Sequence, residues 1–225
     1  MNGRASEQRG TEDAYWKMLM SHDPVSLCER TLAALDANQG AYKLKVLDLT
    51  YDIVLKSRTI VREVGTGSNN PDWDVRLLIL AYLAGATEAP LLGRWVSPVE
   101  FSGGDLFFSS DAHNLALAGL LRTFNSAEDF LRAGQSLGGK KDKVGDSSFV
   151  LQTLPRIPIL FIYWAGDEEL PSKISVLVDR SARSHLAIDA LWLAIRVSEK
   201  RLLEVAKLKN DSSVFTWKER PSLSE

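Results

Sequence analysis

Residues 41–64 alternate between apolar and polar side chains with a period of two. The apolar positions at the start of this stretch share one face: Tyr42, Leu44 and Val46. Strict alternation is typical of antiparallel strands that bury one face and expose the other. With short turns at 47–48 and 56–58, the pattern predicts a meander of three strands.

Six other stretches have the apolar spacing of helices. They cover residues 12–20, 24–38, 73–83, 110–124, 126–138 and 188–206. Asp23 and Asp72 directly precede two of them and are expected to act as N-caps. The helix over 73–83 is apolar on nearly all sides, which predicts a place in the centre of the core.

The longest apolar run of the strand type lies within the segment 155–186. Ile159–Trp164 shows no polar alternation, so both faces of this strand are expected to be covered. Its start is predicted at Ile159 because Pro158 cannot donate to a central ladder. Two further strands, over 148–154 and 174–178, are predicted to flank it.

An antiparallel hairpin is the simplest connection between strands 159–164 and 174–178. It would pair Trp164 with Lys173 and place an acidic tip at residues 166–169. Six strand residues rise about 20 Å, at roughly 3.3 Å each. The tip and the opposite end of the hairpin are therefore predicted to be two separate candidate sites.

Together these elements predict an α+β fold in a single domain. Its sheet is expected to be mainly antiparallel, formed by the N-terminal meander and the C-terminal hairpin, and packed with about five or six helices. A disordered lead is predicted for residues 1–11, the domain for 12–206 and a polar tail for 207–225.

The composition excludes several classes of protein. Lys and Arg number 27 against 29 Asp and Glu, and this balance argues against a nucleic-acid binder. Cys28 is the only cysteine, so the chain alone builds neither a disulfide nor a cysteine-ligated cluster. The polar N-terminus and the absence of a long apolar run predict a cytoplasmic protein without membrane insertion.

The first candidate site is the acidic hairpin tip, with Asp167, Glu168 and Glu169. On an extended turn, Asp167 and Glu169 would project to one side and could share a hard divalent cation through their oxygens. The alternative is a charged turn that stays soluble, or acids that accept hydrogen bonds from neighbouring amides, because the spacing is not that of a calcium loop.

The second candidate site combines Arg156, Asp179, Arg180, Arg183 and His185 at the other end of the hairpin. The three arginines could clamp a carboxylate or a phosphate. His185 could carry a proton or ligate a metal. The alternative is an ion pair between Asp179 and Arg156, with His185 near the start of the last helix.

An irregular stretch over residues 87–108 supplies two more candidates, Arg94 and Trp95. Loops of this kind carry function more often than core positions do. Trp95 offers a stacking face for a ligand beside the Arg94 guanidinium. The alternative is that Trp95 is a hydrophobic plug.

Several motifs resemble an uncharacterised prokaryotic family, a domain of unknown function. The chain has L-P-R-I-P at 154–158, W-x-G-D-E-E-x-P-S at 164–172, L-V-D-x-S-A-x-x-H-L at 177–186 and G-R-W-V-S at 93–97. The resemblance extends from about Trp16 to Leu203 and implies no catalytic residues. Some members carry a fused iron–sulphur domain, but this chain lacks cluster cysteines and has Ala187 where many members have proline.

Three functions follow as hypotheses. The first is a non-catalytic binding or accessory module for an anionic small molecule, a cofactor or a redox partner in anaerobic metabolism, which is what the resemblance implies. The second is a metal-dependent hydrolase or transferase that uses the acidic tip. The third is a structural subunit of a complex. The cofactor and the oligomeric state are left open.

Overall fold

Two antiparallel sheets and seven helices make up the part of the chain that the structure describes. The structure is a computed structural model, and it describes residues 2–63, 70–110, 113, 117–124 and 126–217. Buried side chains from both sheets and from the helices join in one hydrophobic core. The predicted α+β class with a single domain is confirmed.

The first sheet is the predicted meander with one additional edge strand. Its strands lie in sequence order: β1 (Ala34–Asp36), β2 (Ala41–Val46), β3 (Leu49–Val54) and β4 (Thr59–Arg62). The strand β1 lies where the sequence predicted the end of a helix over 24–38. That helix stops at Thr31 because Leu32 adopts a left-handed conformation, with φ of 57°.

The second sheet contains the predicted hairpin at its centre. Its order is β5 (Trp95–Val96), β9 (Lys173–Asp179), β8 (Ile157–Trp164), β7 (Ser147–Leu154) and β6 (Lys140–Asp142). Trp164 pairs with Lys173, so the predicted register is confirmed. Seven of the eight residues of β8 are buried, which confirms that both faces of this strand are covered.

The prediction that the central strand begins after Pro158 is wrong. The strand β8 begins at Ile157, and Pro158 lies opposite Gln152 of β7. The β7–β8 register shifts between Gln152 and Leu154. This irregularity interrupts the regular ladder beside Pro158, and a bulge is one of the few places where a sheet accepts a residue without an N–H.

The helices surround the two sheets. They are α1 (Asn2–Ser21), α2 (Pro24–Thr31), α3 (Trp73–Gly85), α4 (Gly104–Phe108), α5 (Ala118–Thr123), α6 (Ala127–Ser136) and α7 (Ile188–Trp217). The side chains of Asp23, Asp72 and Ser126 accept hydrogen bonds at the starts of α2, α3 and α6. The central position predicted for α3 is confirmed, since every residue from Leu77 to Ala84 is buried.

The two terminal helices are longer than the sequence pattern predicted. The helix α1 includes residues 2–11, which were predicted to be a disordered lead, and α7 extends to Trp217 within the predicted tail. Trp16 and Leu19 are buried, so α1 is anchored near its C-terminal end. Extending a helix from an anchored turn costs little, because each further residue adds a backbone hydrogen bond.

Some predictions concern residues outside the described ones. The predicted helix over 110–124 is described only at residues 110, 113 and 117–124, of which α5 covers Ala118–Thr123. The last part of the predicted tail, 218–225, is also outside them. None of the helices in the described part of the chain combines the length and the apolar character required to cross a bilayer.

Candidate functional site

The acidic hairpin tip uses its central carboxylate to hold its own backbone. Asp167 Oδ1 accepts hydrogen bonds from the amides of Glu169, at 2.9 Å, and Leu170, at 2.8 Å. These donors, the Leu170 amide first, hold the pKa of Asp167 below its usual value. Asp167, Glu168 and Glu169 are all exposed. This arrangement matches the alternative in which an acid of the tip accepts from neighbouring amides.

Cation ligands do not converge at this tip or elsewhere in the described part of the chain. Among the residues that the structure describes, no three side chains of His, Cys, Asp or Glu are grouped so that they could hold a metal ion. The Asp167 oxygen that accepts two amide hydrogen bonds has little capacity left for a cation.

At the opposite end of the hairpin, Asp179 organises loops. It is 2% exposed, and its Oδ1 accepts from the Leu92 amide at 3.0 Å and from the Ser181 amide and hydroxyl at 2.9 Å and 2.6 Å. Burial acts to raise the pKa of Asp179, but these donors prevail and hold it below its usual value. Asp179 therefore caps the short 3-10 helix at residues 180–184 and fixes the loop before β5.

Arg156 does not pair with Asp179 as the sequence-based alternative proposed. Its Nε donates to the carbonyl of Arg30 at 2.7 Å, and its Nη2 donates to that of Glu29 at 3.0 Å. Both carbonyls belong to the last turn of α2, where unpaired carbonyls and the helix dipole favour a cation. Arg156 thus joins α2 to the second sheet.

The other candidates at this end are not drawn into one clamp. Arg94, Arg180 and Arg183 are exposed. Arg183 Nη1 donates to the Leu186 carbonyl at 2.7 Å, and the Arg180 amide donates to the Arg94 carbonyl at 2.8 Å. Trp95 is partly buried and pairs with Asp179 on the edge of the sheet. Arg183 and His185 line one pocket of about 290 Å³, but Arg94, Trp95 and Arg180 are not among its lining residues.

His185 is a buried, neutral imidazole. It is 1% exposed, and its Nδ1 accepts a long hydrogen bond of 3.4 Å from the Thr87 amide. Burial, assisted by the charge of Arg156, lowers the pKa of His185. Since Nδ1 accepts, the proton resides on Nε2, which is buried and has no partner among the described residues.

A different site lies between the meander and α7, and the sequence reasoning missed it. A pocket of about 170 Å³ opens there, with Tyr51 and Arg62 on one side and Lys200 and Arg201 on the other. Tyr51 and Arg62 are directly opposite each other on β3 and β4. We call this pocket the Arg62 pocket.

Of the three cations in the Arg62 pocket, two are already neutralised. Lys200 is paired with Asp72, and Arg201 forms two hydrogen bonds to Asp48, of 3.0 Å and 2.7 Å. Arg62 has no ion pair or hydrogen bond with any residue that the structure describes, and its Nε is buried. An arginine without a counter-ion among the described residues therefore lines this pocket.

The pKa values of the neighbouring groups fix their charges at neutral pH. Burial acts to raise the pKa of Asp72, but the Lys200 ammonium and the Val75 amide hold it below its usual value. The hydrogen bond to Asp72 raises the pKa of Lys200. Burial raises the pKa of Tyr51 despite the opposing charge of Arg62, so Tyr51 keeps its hydroxyl proton and can donate it.

A second and larger pocket adjoins the first. It has a volume of about 580 Å³, and Asp72 and Lys200 line both pockets. The remaining lining side chains are mostly aromatic or charged: Gln8, Trp73, Asp74, His113, Trp192 and Arg196. We call this the tryptophan pocket. The Asp72–Lys200 ion pair lies on the boundary between the two pockets.

The sequence did contain a signal for Arg62. In β4, Ile60 and Arg62 are two residues apart and lie on the same face. Ile60 is buried and pairs with the buried Ile53, so Arg62 occupies a position that the alternation reserves for core residues. A charged residue on the apolar face of a strand is unusual and therefore points to a function, whereas a charged residue on the exposed face is ordinary.

Comparison with known proteins gives a family but no activity. A family model described as a domain of unknown function, DUF3786, matches residues 23–199. The chain belongs to this family. Searches of curated proteins and of solved structures found no match. The predicted membership of a domain-of-unknown-function family is confirmed, while the iron–sulphur fusions of other members stay an expectation.

Proposed function

We propose that this DUF3786 protein is a binding module for an anionic small molecule and that the anionic group binds in the Arg62 pocket. The supporting observation is the unpaired Arg62, which lines a pocket together with Tyr51, Lys200 and Arg201. A guanidinium that is left without a counter-ion in a concave site is available for a carboxylate or a phosphate.

The size of the pocket restricts what it can hold. Its volume of about 170 Å³ lies below the range of about 300–1,000 Å³ that whole small-molecule sites occupy. The Arg62 pocket therefore suits one phosphate or carboxylate group and not a complete ligand. The accessory role near redox metabolism that the family resemblance implies remains compatible with such a binding module and is part of the same proposal.

The decisive experiment replaces Arg62 by methionine, which keeps the apolar stem and removes the charge. A hydrogen bond to a charged group contributes about 1.5–3 kcal/mol, so we expect Arg62→Met to weaken the binding of inorganic phosphate about tenfold or more. Amide chemical shifts in an NMR titration with phosphate measure this. Because Arg62 donates to no described group, the variant should fold normally.

Arg180→Met is the matched control. Arg180 is an exposed arginine in the other candidate region, and we expect its replacement to leave phosphate binding unchanged. If Arg180→Met weakens binding and Arg62→Met does not, the anion binds at the 3-10 helix and the proposal is wrong. Equal binding by both variants and the parent protein would also contradict it.

A further inference from the structure

The tryptophan pocket shows what kind of molecule could carry the anionic group. Its volume of about 580 Å³ lies within the usual range for small-molecule sites, which is about 300–1,000 Å³. It adjoins the Arg62 pocket along the Asp72–Lys200 ion pair. A ligand whose anionic group lies beside Arg62 can therefore place its remaining atoms in the tryptophan pocket.

Aromatic rings form one wall of the tryptophan pocket. His113 stacks on Phe107 with ring centroids 4.0 Å apart, and it lies nearly perpendicular to Trp192 with ring centroids 5.3 Å apart. The Arg196 guanidinium lies over the Trp192 ring, 5.4 Å from its centroid. Indole faces and guanidinium planes are the surfaces on which planar heteroaromatic rings stack.

Two indole N–H groups in this wall are unsatisfied. Trp73 Nε1 and Trp192 Nε1 are buried and have no hydrogen-bond partner in the part of the chain that the structure describes. Buried indoles ordinarily find an acceptor. Because both nitrogens are shielded from solvent, a ligand atom can reach them only after a rotation of the rings. A ring with acceptor atoms would satisfy donors that the protein leaves unpaired.

The middle of the combined site is polar. Asp72 and Lys200 separate the aromatic end from the Arg62 end, with Gln8 on one side and Asn70 on the other. These side chains offer both donors and acceptors. A linker that carries hydroxyl groups fits this section better than a hydrocarbon chain.

The spacing along α7 sets the length of the ligand. Trp192, Arg196 and Lys200 follow one another at intervals of four residues, so they lie along one side of the helix. The eight steps along the helix from Trp192 to Lys200 span about 12 Å at roughly 1.5 Å per residue. The planar group and the anionic group are therefore separated by a linker of several bonds.

We infer that the ligand is a mononucleotide: a planar heteroaromatic ring joined through a hydroxylated linker to a single phosphate. The ring would occupy the tryptophan pocket and the phosphate the Arg62 pocket. A single phosphate fits the charge of the site. Among the described cations that line the Arg62 pocket, Lys200 is paired with Asp72, Arg201 is paired with Asp48 and the lining Glu204, and Arg62 is left over. This inference rests on the proposed function, because it places the phosphate beside Arg62.

The test compares each mononucleotide with its two parts. The probes are adenosine monophosphate, adenosine, flavin mononucleotide, riboflavin and inorganic phosphate, titrated into the full-length protein by calorimetry and, for the flavins, by ring fluorescence. We expect at least one mononucleotide to bind about tenfold tighter than both its nucleoside and phosphate. Stacking on tryptophan should also quench the flavin fluorescence.

Two variants separate the ends of the site. Trp192→Leu should weaken the binding of the mononucleotide and of its nucleoside about fivefold or more, and it should leave the binding of phosphate unchanged. Arg62→Met should weaken the binding of the mononucleotide and of phosphate, and it should leave the binding of the nucleoside unchanged. Trp164→Leu is the control, because Trp164 is a partly buried tryptophan on the second sheet whose indole donates to Ser175. A melting curve verifies that each variant is folded, and Trp73→Leu replaces Trp192→Leu if the latter is not.

The possible failures are distinguishable. If phosphate binds in an Arg62-dependent manner but no mononucleotide binds more tightly than phosphate, the mononucleotide inference is wrong and the proposed function stands. If Trp192→Leu and Trp164→Leu have the same effect, the ring does not bind in the tryptophan pocket and the inference is again wrong. If nucleosides bind through Trp192 while Arg62→Met changes nothing, the proposed function and the inference are both wrong.

Discussion

At the scale of single residues, several of the charged side chains that the sequence singled out bind backbone groups. Asp179 holds the amides of Leu92 and Ser181, Asp167 holds its own turn, and Arg156 binds the carbonyls at the end of α2. Such side chains contribute to stability, because the backbone amides and carbonyls that they bind would be costly to bury without a hydrogen-bond partner. Arg62 differs from them, since it has no described partner, and this difference makes it the best candidate for ligand binding.

His185 gives stability a dependence on pH. Its pKa in the folded protein is lower than the ordinary value of 6.5, so the unfolded chain binds this proton more readily. The corresponding part of the free energy of unfolding is fully present above pH 6.5 and is lost as the pH falls through the folded pKa. Arg156 and Asp179 are the charges that act on this imidazole, and Arg156 reinforces the effect.

We expect His185→Asn to make stability less dependent on pH over this range, because the asparagine amide oxygen can still accept from Thr87 but cannot titrate. Urea unfolding at several pH values between neutral and acidic measures the slope. Burial raises the pKa of Glu199, so this residue contributes a slope of the opposite sign. The contribution is the same in the parent protein and in the variant, and it therefore cancels when their slopes are compared. Identical slopes for the two proteins would show that His185 is not the group responsible.

At the scale of elements, the hairpin of β8 and β9 is a structural unit whose tip is closed by Asp167. The strands are paired from Ile159 with Val178 to Trp164 with Lys173. Beyond them, the Gly166 amide donates to Ser172 Oγ at 2.9 Å and the Asp167 carboxylate accepts two amide hydrogen bonds. The turn therefore needs no cation to hold its shape.

We expect Asp167→Ala to lower the melting temperature more than Glu168→Ala. The Asp167 carboxylate accepts from two amides, whereas the Glu168 side chain has no hydrogen bond with any described residue. Addition of magnesium or calcium should leave the melting temperature of the parent protein unchanged. Scanning calorimetry with and without each metal measures both effects. Stabilisation of the parent protein by a metal, lost in Asp167→Ala, would instead support the metal-dependent enzyme.

At the scale of the whole molecule, the two sheets share one core although they are hydrogen-bonded separately. The Leu47 amide, in the β2–β3 turn, donates to the Thr153 carbonyl of β7 at 3.0 Å, and the Arg201 guanidinium of α7 binds Asp48 in the same turn. The Arg62 pocket lies at this junction. A ligand there would contact the meander and α7 together.

This architecture predicts that the sheets unfold as one cooperative unit. Ile53 in the meander and Phe161 in the second sheet are both completely buried. The free energy of opening, obtained from the exchange of their backbone amides, should be the same for both. Amide hydrogen exchange followed by NMR measures this. A clearly lower free energy of opening for the meander would mean that the meander unfolds separately from the second sheet. The Arg62 pocket would then be lost together with the meander.

Much of the fold could be predicted from local patterns. Period-two alternation determined the strands of the meander. The register of the central hairpin followed from joining its two consecutive strands in the simplest way, as the pairing of Trp164 with Lys173 shows. Asp23 and Asp72 marked helix starts because an N-cap acts on amides only three residues away. These features depend on neighbours in the sequence, so the sequence by itself determined them.

The tertiary structure alone decided which charged residues are available for a ligand. Arg156 binds a carbonyl 127 positions away in the chain, and Arg201 pairs with an aspartate 153 positions away. Such pairings depend on how sheets and helices pack, which no local pattern specifies. The folded chain therefore satisfied Arg156 and Asp179 of the conspicuous cluster internally. It left Arg62 in a pocket without a counter-ion among the described residues.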